Sequence, residues 1–383
     1  MHGEVLNPKD VTDRRNGHRY REPNKERRLI RMNEKNKYIP YGRQSIDEDD
    51  IQAVIDVLRS DWITQGPKIE EFENKLADYC GAKYTVAVSS GTAALHIACL
   101  AAGIKEGDEV ITSPITFAAS ANCVLYCGAR PVFADIKTET INIDPKEIEK
   151  NITKKTKAII PVHFAGYPCD IKLIHSIAKK HNLIVIEDGC HALGAQYKSK
   201  DKWVKVGSCK HSDMTVFSFH PVKNITTGEG GAVTTNNMNL YKRLKALRSH
   251  GIYKDKKTLE KGPWYYEMRE LGFNYRITDF QCTLGISQLK KLDIFLKKRK
   301  DIVKRYSKAF KDNPYFDVFI ETEDTNASWH LYPIMLKNTY KKKRKEIFNN
   351  FRQRGLGVQV HYIPVYWQPY YKKLGFMKGA CPK

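Results

Sequence analysis

The feature that most restricts the fold is a long alternation of short apolar runs with helix-like segments between Tyr84 and Phe219. "YTVAV" precedes "TAALHIACLAAG", "EVIT" precedes "FAASANCVLYCG", and "PVFA", "KAIIPV" with "IKLIHSIAKKH", "LIVIED" and "TVFSF" follow. Alternation of this kind predicts a largely parallel sheet covered by helices on both faces, because parallel neighbours need a crossover and the crossovers bury the sheet. Ahead of it, "SIDEDDIQAVIDVLRS" reads as a helix with a Ser45 cap, Glu48 three residues on, and Ile51, Val54, Ile55 and Leu58 at helical spacing. A second helix is expected in "PKIEEFENKLADYC". After about Leu247 the pattern changes to a long amphipathic helix over Thr278–Phe310, a strand "HLYPIML", a basic helix and a strand "VQVHY". The expected organisation is a basic disordered tail over 1–37, a large α/β domain over 38–250 and a smaller α+β domain over 251–383.

Composition narrows the class. The chain has 383 residues, 41% hydrophobic and 28% charged, ordinary values for a globular protein. No run of about 18 uninterrupted apolar residues suggests a membrane span, and the polar N-terminus has no secretory signal. A cytoplasmic location is therefore expected. The nine cysteines contain no CxxC pair, so the sequence signals neither zinc nor a disulfide framework. A formal net charge of +22 raises the possibility of nucleic-acid binding. The charge is spread over "KKRK", "KKKRK" and the N-terminal tail without a nucleic-acid motif, so a solvated basic surface that steers small anions is favoured.

In such sheets, chemistry sits where strands end, and four segments qualify. "VAVSSGTAAL" ends a strand and opens a helix at Gly91 and Thr92, where backbone N–H groups could hold a phosphate, although Ser-Gly-Thr is also an ordinary helix cap. "LIVIEDG" leaves Glu187 and Asp188 at the end of an apolar strand, a costly place for a carboxylate unless a cation pairs with it or it caps a helix. "SPITF" puts Phe117 at a loop-to-helix junction, suited to stacking on a flat ligand or to core packing. "MTVFSFHPVKNITTGEGGAV" breaks at His220-Pro221 and delivers Lys223 just before a glycine cluster. A phosphate cradle, a carboxylate for a ring nitrogen, a stacking aromatic and a half-buried lysine are together the needs of pyridoxal 5′-phosphate.

From about Tyr41 onward the chain resembles the DegT-type nucleotide-sugar aminotransferases, fold-type I enzymes that use pyridoxal phosphate. The resemblance is carried by "TQGPKIEEFE", "SSGTAALHIA", "TFAASAN", "IEDGCHALGA", "SFHPVKNITTGEGGAV", "LRSHGI", "NYRITDFQCTLGISQL" and "VQVHY". Within the family it is most similar to the branch that aminates C4 of a UDP-linked 4-keto-6-deoxy-N-acetyl hexose for pseudaminic acid; amination at C3 of a dTDP-keto sugar is the nearest alternative. The resemblance implies that Lys223 holds the cofactor, that Asp188 meets the pyridinium nitrogen, and that Phe117 stacks on the ring with His191 beside it. Gly91, Thr92 and Ser218 would bind the phosphate, with Asn274 reaching it from the other subunit of a homodimer. Tyr41, the turn Asp61-Trp62-Ile63-Thr64, and Gln359, His361 and Tyr362 would meet the nucleotide sugar, and glutamate is the implied amino donor. A dehydratase branch has His in place of the lysine, so Lys223 favours amino transfer. Relatives continue past "GFMKGACPK", so a truncated small domain is expected.

Overall fold

The computed structural model describes residues 38–383; the tail expected over 1–37 lies outside the described residues. By their contacts the described residues form two compact units, one of 42–341 with Val360–Lys383, the other of 38–41 with Lys342–Gln359.

The larger unit is built on a seven-stranded sheet. Its strands in chain order are β1 (Tyr84–Val88), β2 (Glu109–Thr112), β3 (Arg130–Phe133), β4 (Thr156–Ile160), β5 (Ile184–Asp188), β6 (Met214–Ser218) and β7 (Gly231–Thr235). In space they run β1-β7-β6-β5-β4-β2-β3, and all neighbours are parallel except β7, which is antiparallel to both β1 and β6. The expectation of a largely parallel sheet therefore holds with one reversed strand. Alternate side chains feed two cores: Ala87 and Phe217 join Phe72, Leu76, Ile159 and Leu292 on one face, while Val86, Val88 and Val216 join Leu95, Ile97 and Leu247 on the other. Both faces being buried explains why these strands read as near-continuous apolar runs.

The helices that matter to the site are α1 (Glu48–Leu58), α2 (Pro67–Cys80), α3 (Gly91–Ala101), α4 (Ala119–Tyr126), α5 (Ile171–Lys180), α6 (Met238–Arg248) and α7 (Asp279–Ala309). Helix α1 is capped by Asp47 and Asp50, each carboxylate accepting the other's backbone N–H at 3.2 Å, and not by Ser45. An Asp pair three residues apart satisfies two orphan donors reciprocally, which a Ser two residues upstream cannot reach. The long amphipathic helix has the expected extent, with Thr278 as its N-cap and Gln281 completing a capping box. Its buried Asp279 also accepts the N–H groups of Gly66 and Lys68 at 2.8 and 2.9 Å, tying the start of α2 to the start of α7.

At the open edge of β1, Ala87 N–H donates to Glu73 at 2.8 Å and Arg248 donates to the Ala87 carbonyl at 2.8 Å. The edge strand is thus closed by a buried ion pair, Arg248 to Glu73, whose side chains are 12% and 7% exposed. Two expected strands are shorter. Of "HLYPIML" only Ile334–Leu336 pairs, since Pro333 has no N–H to give a ladder. "VQVHY" carries no ladder, the strand there being Leu356–Gly357.

The smaller unit contains helix α8 (Arg344–Gln353) and a parallel pair of Ile39–Pro40 with Leu356–Gly357.

Candidate active site

Register across the sheet gathers the site at one end. Ser218 on β6 stands opposite Gly231 on β7, which stands opposite Val88 on β1. The turn that leaves β1 is therefore beside the end of β6. Ser90 caps α3, its hydroxyl accepting from Ala93 N–H at 3.1 Å, and leaves Gly91 and Thr92 as the first helical residues. A methyl group at Gly91 would stand 2.8 Å from Ser218 Cβ, and one at Gly231 would stand 2.5 Å from the Ser90 carbonyl. Both glycines are required by close approach, which brings the first turn of α3, with its unpaired N–H groups, against Ser218.

One strand over, β5 ends in two carboxylates with different fates. Glu187 accepts from His163 Nε2 at 2.8 Å, from Thr215 at 2.8 Å and from Ser212 at 2.5 Å. The Cys169 N–H donates to His163 Nδ1 at 2.9 Å, so the ring's own proton is on Nε2 and points at Glu187. Glu187 is spent inside the fold. Asp188, only 4% exposed, is oriented instead: Ser120 donates to Oδ2 at 2.6 Å and Cys190 N–H to Oδ1 at 3.1 Å. The Thr116 hydroxyl lies 2.7 Å from that of Ser120 and extends the chain.

Lys223 follows β6 in a turn closed by its own N–H to the His220 carbonyl at 2.9 Å. Burial lowers its amine below the ordinary lysine range, against an opposite pull from Cys190 and Asp188. His191 is buried, its Nε2 lies 3.4 Å from the Tyr362 hydroxyl, and its Nδ1 has no hydrogen-bond partner. Burial, then the charges of Lys223 and His361, hold its ring well below the usual imidazole value. His330 lies against it with ring centroids 4.4 Å apart and is lowered in the same way, first by burial and then by His191 and Lys223. Phe117 is 60% exposed, its ring 6.4 Å from that of Tyr362.

The structure thus brings together Gly91, Thr92, Phe117, Asp188, His191, Ser218, Lys223, His361 and Tyr362. Asn274 and the turn Asp61-Trp62-Ile63-Thr64 form a second, exposed group near the start of α7: Thr64 bridges Thr278, Asp279 N–H donates to the Ile63 carbonyl at 3.0 Å, and Asn274 bridges Ser249. Tyr41 and Gln359 belong to the smaller unit. Sequence inspection missed Thr116, Ser120 and His330. Ser120 is one helical turn beyond Phe117 in "TFAASAN", a visible spacing, but its partner is 68 residues away.

Residues 44–383 match the DegT/DnrJ/EryC1/StrS aminotransferase family. A UDP-4-amino-4,6-dideoxy-N-acetyl-beta-L-altrosamine transaminase of Campylobacter jejuni is 45% identical over 339 residues, 88% of this chain and 86% of that protein. Among solved structures, Helicobacter pylori PseC, an aminotransferase involved in the biosynthesis of pseudoaminic acid, superposes with a TM-score of 0.82 at 37% identity, covering 88% of each chain. The PLP-form of the sugar aminotransferase Spr1654 of Streptococcus pneumoniae does so with a TM-score of 0.82 at 34% identity, covering 90% of each chain. The chain belongs to the DegT/DnrJ/EryC1/StrS aminotransferase family, and its fold is that of the fold-type I aminotransferases.

Proposed function

We propose that the protein is a pyridoxal-phosphate-dependent aminotransferase that places an amino group on C4 of a UDP-linked 4-keto-6-deoxy-N-acetyl hexose, in the manner of pseudaminic acid biosynthesis. The observation that carries this is the meeting of Lys223, the oriented Asp188 and the Gly91–Ser218 approach at one sheet end, together with the relatives' stated activity. The residues fit the cofactor: the first turn of α3 starts beside Ser218, His191 Nδ1 is a buried orphan, and Asp188 is held in orientation by Ser120 and Cys190. When bound, pyridoxal phosphate supplies the electron sink that lets an amino group leave one carbon and join another.

Within that reading the chain's own groups divide the work. Lys223 anchors the cofactor and then moves a proton at the reacting carbon, a task favoured by an amine whose proton affinity burial has lowered. Asp188 keeps a proton on the ring nitrogen, and Ser120 holds the carboxylate in place for it. Phe117 would stack on the ring with His191 beside it, and Gly91, Thr92 and Ser218 would hold the phosphate. Asn274 serves the phosphate of the partner subunit in a homodimer. Asp61, Trp62, Ile63, Thr64, His361 and Tyr362 would receive the nucleotide sugar, and glutamate would give the amino group. The basic surface favours approach of that anionic substrate over any role with nucleic acid.

The cytoplasm suits this assignment, since the nine cysteines are all free thiols. Among the described residues no helix is long and apolar enough to cross a membrane.

Borohydride treatment of protein incubated with pyridoxal phosphate should fix the cofactor on the peptide carrying Lys223, and Lys223→Ala should abolish this. Incubation with glutamate and a panel of keto-sugar nucleotides, read by NMR, should show nitrogen at C4 of the UDP sugar. Fixation on another lysine, or nitrogen at C3 of a dTDP sugar, would overturn the respective part.

A further inference from the structure

The loop that follows β4 grips two neighbouring residues of β5 in different ways. His163, fully buried, meets Glu187 through its side chain, with Nε2 2.8 Å from Oε2. It meets Asp188 through its backbone, its N–H donating to the Asp188 carbonyl at 3.1 Å, and the Asp188 N–H donates to the Pro161 carbonyl at 2.9 Å. Toward β6, Glu187 stands opposite Thr215, and its Oε1 accepts from Thr215 at 2.8 Å and from Ser212 at 2.5 Å. The Gly189 N–H donates to the Val216 carbonyl at 2.8 Å, so the strand end is tied on both sides. His163 is fixed in turn: the Cys169 N–H donates to Nδ1 at 2.9 Å, and the N–H of the next residue, Phe164, donates to the buried Asn142 at 2.9 Å.

We infer that His163 and Glu187 are positioning residues for the cofactor: together they set which of two adjacent carboxylates faces its ring nitrogen, and hold that carboxylate in place. The inference rests on the role of Asp188 proposed above. Successive side chains of a strand point to opposite faces, so a slip of one residue would put Glu187 where Asp188 stands. Both carboxylates are buried, 2% and 4% exposed, and burial of a charged group is costly unless hydrogen-bond donors meet it. The two faces supply different donors. A ring N–H and two hydroxyls meet Glu187, whereas Ser120 and the Cys190 N–H meet Asp188. Because His163 Nδ1 already accepts from Cys169, the ring proton is on Nε2 and is presented to Glu187. The same residue's backbone then fixes Asp188, so one loop residue holds both the register and the neighbour whose charge is used.

A carboxylate raises the proton affinity of a nearby base only at close range, by about one to three pH units within about 4–6 Å. Freeing the end of β5 is therefore read at the cofactor itself, as a weaker hold on the ring-nitrogen proton, and not only as lower stability.

The test uses the full chain loaded with pyridoxal phosphate carrying nitrogen-15 in its ring, whose NMR shift reports protonation at that atom, alongside borohydride fixation on Lys223. The unmutated chain should keep the ring nitrogen protonated at neutral pH. His163→Leu removes the donor to Glu187, and Glu187→Gln keeps the shape without the charge. Each should lower the pH at which the ring proton is lost by about one unit or more, with cofactor still fixed on Lys223. His163→Gln keeps an amide donor and an amide acceptor and should recover most of that shift. An unchanged ring-nitrogen titration in the loaded variants, or failure of both disruptive variants to fold, would assign the pair to stability alone and overturn the inference. An unmutated chain that takes no cofactor on Lys223 would instead overturn the functional reading, and the inference with it.

Discussion

Removal of the Ser120 hydroxyl tests how the site is held together. Ser120→Ala deletes a 2.6 Å hydrogen bond to a carboxylate that is 4% exposed, and strands the Thr116 hydroxyl 2.7 Å behind it. A hydrogen bond to an ionised group contributes about 1.5–3 kcal/mol net, and a buried donor left without a partner adds to the loss. The volume change is one hydroxyl, so a cavity adds little. We expect about 2 kcal/mol of destabilisation, near a thirtyfold change in a folding equilibrium constant. The same deletion leaves Asp188 held on one oxygen only, by Cys190 N–H at 3.1 Å, so cofactor retention should weaken as well. Denaturant unfolding of the cofactor-free protein measures the first effect, and pyridoxal phosphate remaining after gel filtration the second. Ser120→Thr keeps the hydroxyl and should recover both. A loss below about 0.5 kcal/mol, the range of an ordinary surface change, with undiminished retention, would show that Ser120 does not orient Asp188.

The remaining tests concern charge and assembly. The folded-state value of the Lys223 amine is lowered, so the folded protein releases its proton before the unfolded chain does, and stability should rise with pH between the lowered value and the ordinary lysine value near 10.4. Cofactor-free Lys223→Met should therefore be more stable than the parent at neutral pH, with the gap in melting temperature closing as pH approaches about 10; a gap independent of pH would refute the buried-amine account. Arg248→Met leaves Glu73 without its cation and the Ala87 carbonyl without a donor, and should cost about 3–5 kcal/mol in thermal unfolding, whereas replacing both charges with Glu73→Gln and Arg248→Met should cost less. If Asn274 serves the partner's site, mixing Lys223→Ala and Asn274→Ala chains should restore part of the activity in isolated heterodimers, because one site of each pair then carries neither lesion; inactive heterodimers would refute a shared site.

The strands were legible because a sheet buried on both faces writes itself as short apolar runs, and β1, β2 and β5 to β6 fall within a residue or two of where the sequence puts them. The ends of those strands were legible too, since Gly91, Asp188, Ser218 and Lys223 each interrupt an apolar pattern with a residue that such a position tolerates only for a reason. What could not be read was pairing at a distance. That Glu187 would be spent on His163, and Asp188 left facing the site, depends on the loop after β4 returning His163 to 2.8 Å from one carboxylate and not the other. The Asp47 cap of α1 was missed for a local reason: Ser, Asp and Asp all cap well, and only backbone geometry chooses among them. The expected strand "VQVHY" failed because alternation by itself does not supply a neighbour to pair with.

The site also shows how a strongly basic chain can keep its buried histidines from adding positive charge beside Lys223. The formal charge of +22 lies on lysines and arginines spread along the chain, where it can draw anions inward. Around Lys223 three imidazoles are pushed toward their neutral form: His191 by burial and then by Lys223, His330 by burial and then by His191, Lys223 and Arg299, and His361 by burial and then by Lys223. Neutral rings do not compete with the lysine for a proton or repel it as cations would. They remain able to accept or donate a hydrogen bond at orphaned nitrogens such as His191 Nδ1. In the proposed role of Lys223 the proton would sit on its amine, with Asp188 nearby and Ser120 fixing where that carboxylate points. In the proposed function, the basic exterior would draw the anionic substrate in, and neutral histidines would leave the Lys223 amine to carry the proton.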